Sequence, residues 1–485
     1  MATTTTTTII RRLKTTRTYV LPTSPTLPTL PTLPSDTPYK FIDLFCGIGG
    51  FHQALSSVGI GASCVFACDI DENCRTIYEK NYGIKPEGDI TKIDIETIPP
   101  FNILCAGFPC QSFSKAGSQK GFDDARGNLF FHICNIVRHH RPEYLLLENV
   151  ANLTKHDDGN TWTVIYQHII DMGYSTYRDP VVLNVLHFNI PQNRERVIIM
   201  CKRNIPPVNL RNIIRDPTVR DQRSQQLTTV SIKDAHCSLV QSPSGSPLND
   251  IGDLPIQPII PKNPKQRLTR FIKDIMLPFD SDQTSPCETI KYKLDGKMKD
   301  VECVWDQFIK LLIHHRISIP KFPIWTDWWD KDPTTDPDPY QKYTAWIDKN
   351  QAFYQEHRSV LQPWLDTSRA CANWVGAVRK FEWQAGDEIA ENLEGMKDVL
   401  WTARGSGIRV KKLDYIPTLV AMSMIPVYGP ESRKLSPREL LRLQSFPDSF
   451  VYDEKTILKQ VGNAVNVTMI ERCARFLIMG EELFI

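Results

Sequence analysis

The sequence predicts an α/β fold: a doubly wound sheet joined to a separate domain of different texture. Three observations carry this reading. From residue 39 to about 205, short apolar runs alternate with segments of helical spacing, the pattern of a mostly parallel sheet clad by helices. Runs such as "EYLLLENV" (143–150) are apolar almost throughout, as expected for strands buried on both faces. After about residue 205 the alternation stops.

Taken in order, "YKFIDLF" (39–45) is a strand ended by the glycine-rich "CGIGG", and "FHQALSSVG" is a helix stopped at Gly59. "ASCVFACD" (62–69) reads as the next strand and "DENCRTIYEKNYG" as the next helix. "FNILCAG" (101–107) is a strand, and "GNLFFHICNIVRHH" is a helix with Leu129, Ile133 and Val137 on one face. The strands 143–150 and "RVIIMC" (196–201) follow. Ligands of such sheets sit outside the carboxyl ends of the strands. Cys110, Glu148 and the Gly47–Gly50 loop all fall just after strand ends.

Residues 1–35 form a Thr/Pro-rich tail without an acidic residue, read as disordered, with an organelle transit peptide as the minority reading. Residues 206–260 are rich in Pro, Ser, Asp and Gln. Residues 300–385 are dense in tryptophan, including Trp325, Trp328, Trp329, Trp346, Trp364, Trp374 and Trp383. That density reads as a small packed helical subdomain whose tryptophans are core. From Lys434 the chain returns to compact helical text. The expected domains are a catalytic and cofactor-binding domain over 36–205, a target-recognition domain over 206–430, and C-terminal motifs over 431–485 that complete the catalytic domain.

The 485 residues allow two or three domains, and no stretch approaches the ~20 apolar residues that span a bilayer. None of the 13 cysteines form C-x-x-C pairs, and no His/Cys cluster completes a zinc site. Free thiols in a reducing compartment are therefore the default. With a net charge of +2, any nucleic-acid footprint has to be local. One candidate is "PKNPKQRLTRFIK" (261–273), with five basic residues and no acidic one. Taken alone, such a run reads as a solvated basic face.

Cys110 lies in "GFPCQSFSKAG" (107–117), too polar for a core strand and too rich in Gly, Pro and Ser for a helix. Half-cystine, metal ligand, small buried residue and nucleophile all remain open from local sequence. The glycine turn "DLFCGIGGF" (43–51) lets backbone approach a ligand closely. Asp69, about twenty residues on, stands where a carboxylate meets ribose hydroxyls, and Asp89 could meet an adenine amino group. Together they suggest an adenosine-containing cofactor.

In order along the chain, "FIDLFCGIGGF", "GFPCQSFS", "LLENV", "QNRERV", "RKLSPRELLRLQSFPDSF" and "QVGNAVN" resemble the motif series of cytosine-5 DNA methyltransferases. The likeness covers 40–201 almost continuously and then 434–470. It implies S-adenosyl-L-methionine as cofactor and the Cys110 thiol as a nucleophile that adds to cytosine C6. It further implies that Glu148 holds or protonates N3 and reads the exocyclic amine, for which its carboxyl is expected to be neutral or to share a proton. Arg194 and Arg196 match the family's catalytic arginine pair, Arg196 pointing at the cytosine carbonyl.

For the cofactor, the resemblance implies Phe45, Gly47, Ile48 and Gly49 as the binding loop, Asp69 and Ile70 at the ribose and adenine, and Asp89 and Ile90 at the adenine edge. Pro109, Leu129, Asn463 and Val465 complete it. Asp69 stands where a longer Glu is common, and Cys46 where alanine is frequent.

The target base of a duplex has to be flipped out of the stack. Sequence reading is expected in the long 206–430 region, with Arg404, Arg409, Lys411, Lys412 and Thr418 as DNA-contact candidates. A tRNA-methylating enzyme is a rival, opposed by the long recognition region and the lack of a Cys-Phe-Thr element. A catalytically dead regulatory homologue is the other, opposed by the intact Cys110, Glu148, Arg196 and Asn463. The expectation is a monomeric, stand-alone modification enzyme of restriction-modification or viral type. Its partners are duplex DNA and a separately acting cognate restriction endonuclease, with no metal and no membrane. It works wherever the DNA is: bacterial cytoplasm, viral factory or nucleus.

Overall fold

The computed structural model describes residues 38–109, 129–204, 254, 258–277, 289–386, 393–421 and 424–484. The 1–35 tail, Cys110 with the Gly/Ser-rich stretch after it, and nearly all of 206–257 lie outside the described residues.

The first sheet is seven-stranded. Its strands are β1 (Lys40–Leu44), β2 (Ser63–Cys68), β3 (Ile103–Gly107), β4 (Tyr144–Val150), β5 (Tyr174–Ser175), β6 (Val181–Asn184) and β8 (Glu195–Arg203). The order is β2-β1-β3-β4-β8-β5, with β6 also on β8. The pairs β1–β2, β1–β3 and β3–β4 are parallel, whereas β8 runs antiparallel to β4. Because side chains alternate along a strand, each strand feeds two cores. Phe41, Ile103, Cys105, Leu146 and Ile198 join one cluster, and Ile42, Leu104, Ala106, Leu147 and Ile199 the other.

Helices α1 (Gly50–Ser57), α2 (Glu72–Tyr82), α3 (Leu129–His140) and α4 (Asn160–Asp171) connect the strands. α3 and α4 cover one face through Phe130, Ile133, Val137, Ile165 and Ile169. The opposite face is covered by α1, through Phe51, Ala54 and Leu55, together with the C-terminal helices Pro437–Leu443, Ile457–Asn463 and Val467–Ala474. The chain's end thus completes the layer its beginning starts.

The tryptophan-rich region contains more than helices. The two-residue strand β7 (Gln192–Asn193) pairs in parallel with β13 (Ile416–Pro417). A separate six-stranded sheet is built from β9 (Ile324–Trp325), β10 (Lys380–Trp383), β11 (Leu400–Arg404), β12 (Gly407–Lys411), β14 (Val427–Tyr428) and β15 (Arg433–Lys434). Its core gathers Trp305, Trp329, Trp364, Trp374, Trp383 and Trp401 with the helices Gly296–His314 and Arg358–Arg369. The expected small helical subdomain over 300–385 does contain long helices, but they pack with strands of this sheet, which the expectation did not include. Several of these strands are two residues long, too short for a period-2 signal to register.

At the junction between this sheet and the C-terminal helices, Arg433 of β15 and Glu439 form a two-pronged pair at 2.8 Å on each prong, both side chains fully buried. Glu439 also accepts the backbone N–H of Ser436 at 2.7 Å, completing a capping box. Arg433 Nε also pairs with Glu431, so neutralising Glu439 leaves the buried guanidinium one carboxylate and breaks its two-pronged contact. Glu439→Gln is therefore expected to destabilise the fold by roughly 3 kcal/mol, read as a lower denaturant midpoint in urea unfolding.

Candidate active site

The carboxyl ends of the parallel strands lie level. Leu44 pairs with Cys68 and with Ala106, and Gly107 pairs with Glu148. The loop after β1 turns sharply, with Phe45, Gly47 and Gly49 all at positive φ (55°, 53° and 85°). Among the described residues, nothing stands within 4 Å of where a Gly47 side chain would begin. Gly49 has no such room, since an added methyl carbon would lie 2.2 Å from the Tyr82 ring. Tyr82 donates to the Gly49 carbonyl at 2.9 Å and stacks on His52, bracing the loop from beneath.

Asp69, at the end of β2, accepts the N–H of Gly47 on one oxygen and that of Asp71 on the other, each at 2.8 Å. It therefore shapes the loop as well as presenting charge beside it. Burial raises its carboxyl above the ordinary aspartate range, opposed by those two N–H bonds. Ile70 beside it is 77% exposed, an apolar surface available to a planar ring. Asp89 caps a short turn by accepting the N–H and hydroxyl of Thr91, and Ile90 is buried behind it. Ile48 is buried, Leu129 is half-buried at the start of α3, and Pro109 is exposed at the end of the loop from β3.

An exposed glycine backbone, a carboxylate at the next strand end and an exposed isoleucine fit a nucleoside with a charged tail. These residues can hold S-adenosylmethionine, the cofactor the motifs imply.

Glu148 and Arg196 meet at 2.7 Å through Oε1 and Nε, with side chains about 10% exposed. Arg196 is turned by a further bond from its guanidinium to the Glu195 carbonyl at 2.7 Å. Glu148 Oε2 lies 3.8 Å from where a Gly107 side chain would begin, which places the carboxylate beside the end of β3. Sequence reasoning missed Asn149, which is buried and donates to the Phe108 carbonyl at 2.8 Å. It fixes the backbone two residues before Cys110, which itself lies outside the described residues. The only sequence signal was its place beside Glu148 in "ENV".

Arg194 is placed differently from its expected catalytic role. It is 1% exposed, and its guanidinium donates to the carbonyls of Leu419, Gly462 and Ala464 at 2.8–3.2 Å. Burial lowers its pKa to about 9, helped by Arg196 nearby. Committed to backbone, this side chain holds segments together instead of facing the open edge. Asn463, on the segment it grips, is exposed, while Val465 is buried against Gly50.

The β11–β12 hairpin is two-faced. Trp401, Ala403, Ile408 and Val410 enter the tryptophan-rich core. Thr402, Arg404, Arg409 and Lys411 line a small pocket on the other side with Pro417 and Pro426. Arg409 is paired with Glu382 at 2.8 Å, and Lys411 lies over the Tyr415 ring. The Arg404 Nε has no hydrogen-bond partner among the described residues. Lys412 is half-buried beyond the end of β12, and the Thr418 hydroxyl is spent on the Asn193 carbonyl at 2.7 Å. Thr418 is thus a joint between segments more than a free donor to DNA.

Because Asp69 both organises the loop and faces it, Asp69→Ala is expected to weaken S-adenosylmethionine binding tenfold or more. Isothermal calorimetry showing unchanged affinity would remove Asp69 from the cofactor site.

The family model for C-5 cytosine-specific DNA methylase matches residues 39–478. The Type II methyltransferase M.HhaI of Haemophilus parahaemolyticus is 49% identical over 176 residues, which cover 36% of this chain and 52% of that protein. The Type II methyltransferase M.AluI of Cellulosimicrobium cellulans is 28% identical over 511 residues, 91% of this chain and 92% of that one. The chain therefore spans about half the length of the first relative and nearly all of the second. The crystal structure of the S. pombe Dnmt2 methyltransferase superposes with a TM-score of 0.43 at 17% identity, covering 91% of this chain and 99% of that chain. A family match running from β1 through the C-terminal helices leaves one conclusion: the chain belongs to the C-5 cytosine-specific DNA methylase family.

Proposed function

We propose that this protein transfers a methyl group from S-adenosylmethionine to C5 of a flipped cytosine in a short motif of duplex DNA. The buried Glu148–Arg196 pair at the carboxyl edge, beside the loop that leads to Cys110, is the observation that carries this reading. Cytosine C5 is too weak a nucleophile to react unaided. The Cys110 thiolate adds to C6, and the Glu148 carboxyl delivers a proton to N3 as the ring's electrons shift toward C5. Glu148 holds N3 and the exocyclic amine, and Arg196 bonds the cytosine carbonyl oxygen. The cofactor, when bound, supplies an electrophilic methyl group. Once C5 carries the methyl group it loses its proton to a solvent water, the freed electron pair expels Cys110 Sγ from C6, N3 returns its proton to Glu148, and the thiolate is restored.

The Gly47 backbone, Asp69 and Ile70 hold the cofactor in this reading, with Phe45, Ile48, Asp89, Ile90, Pro109, Leu129, Asn463 and Val465 around it. The face of β11–β12 bearing Arg404, Arg409 and Lys411 meets the duplex. The Type II designation of the relatives fits a modification enzyme whose cognate restriction endonuclease acts separately. Among the described residues, no helix is long and apolar enough to cross a membrane. Bisulfite sequencing of DNA from cells expressing the chain is expected to reveal 5-methylcytosine at one short motif. Unmodified DNA, or methylation confined to tRNA, would refute the reading.

Two further outcomes are expected. Cys110→Ser abolishes tritiated-methyl transfer to duplex while leaving cofactor and duplex binding largely intact; transfer at a near wild-type rate would mean another nucleophile. Replacing Arg404, Arg409 or Lys411 with Ala lowers the slope of log affinity against log salt by about one for each phosphate no longer neutralised. Slopes unchanged in all three variants would move the duplex to another surface.

A further inference from the structure

We infer that Arg194 is a positioning residue that couples the recognition segment 417–421 to the cofactor loop, so that target duplex and cofactor strengthen each other's binding. This inference rests on the function proposed above. Its basis is a series of contacts with almost no slack. The recognition segment is pinned to the catalytic domain where β13 pairs with β7, and where Thr418 donates to the Asn193 carbonyl at 2.7 Å. Arg194, the next residue along, donates through Nη1 to the Leu419 carbonyl at 2.9 Å. The same guanidinium grips the C-terminal motif, with Gly462 at 3.2 Å from both terminal nitrogens and Ala464 at 2.8 Å.

At Gly462 the two gripped segments touch backbone to backbone. A methyl group there would lie 2.4 Å from the Ala421 nitrogen and 2.5 Å from the Val420 carbonyl oxygen. Three residues on, Val465 packs against the glycine loop, where a side chain on Gly50 would meet it at 2.5 Å. Displacing residues 417–421 therefore has to move 462–465 or the Gly47–Gly50 turn, because close-packed interiors transmit strain.

Arg194 suits this task. A buried guanidinium held only by carbonyls carries a desolvation penalty that an apolar side chain would avoid. What it provides in return is several directed donors in one rigid plane, enough to hold two separate segments at fixed spacing. By linkage, whatever duplex binding does for cofactor affinity, cofactor binding does equally for duplex affinity.

The test measures S-adenosylhomocysteine affinity of the full-length chain, alone and with saturating duplex carrying the motif found by bisulfite sequencing. In the wild type, target duplex is expected to tighten S-adenosylhomocysteine about tenfold, and a scrambled duplex much less. Gly462→Ala and Arg194→Lys are expected to reduce that ratio to about threefold or less while still unfolding cooperatively. Gly296→Ala, where an added methyl meets nothing within 4 Å, keeps the wild-type ratio. Should the first two variants not fold, Thr418→Val reads the same link by removing only the bond to Asn193. A wild-type ratio of one, or folded variants that keep the wild-type ratio, overturns the inference. A wild type that methylates no duplex instead overturns the function on which it rests.

Discussion

The site depends on the reversal of one strand. In a sheet whose first four strands run parallel, β8 lies antiparallel to β4, with Val150 opposite Arg196 and Glu148 opposite Ile198. Its amino end therefore sits at the edge where β1, β2, β3 and β4 finish. Were β8 parallel, Arg194 and Arg196 would lie at the far edge, a strand length from Glu148. Reversed, the strand brings Arg196 to 2.7 Å from Glu148 and sends Arg194 toward the segments arriving from residues 419 and 462–464.

The same edge is closed from the other end of the chain. Helix Ile457–Asn463 and the residues after it return to pack on the α1 face of the sheet, and Val465 meets the turn at Gly50. Between the two catalytic stretches the chain makes an excursion through a sheet with its own tryptophan-rich core. Arg433–Glu439 and Arg194 both bind where that excursion rejoins the catalytic layer. M.HhaI is matched over 36% of this chain, whereas M.AluI is matched over 91%.

Much of this was legible in sequence where local chemistry decides structure. Continuous apolar runs became β1, β3 and β4, because strands buried on both faces need no polar positions. The direction of β8 was not legible, since "RVIIMC" reads the same in either orientation. The second sheet was hidden because strands such as β9, β14 and β15 span two residues each. For the site, the family likeness of "LLENV" and "QNRERV" pointed to Glu148 and Arg196, and the structure brings them into contact. Arg194 looked equivalent to Arg196 two positions away. Its partners lie 225 to 270 residues distant, and no local pattern reports them. Asn149 was overlooked for the same reason, its partner being 41 residues earlier in the chain.

The central claim is that Cys110 bonds covalently to cytosine C6 at the edge where Glu148 and Arg196 meet. A duplex with 5-fluorocytosine at the target position tests it directly. Fluorine replaces the proton that has to leave C5, so after methyl transfer the elimination that frees the enzyme cannot proceed. The account predicts a cofactor-dependent adduct, stable to denaturation, which mass spectrometry of the digested complex assigns to the peptide containing Cys110. No adduct, or an adduct on any other residue, would contradict it.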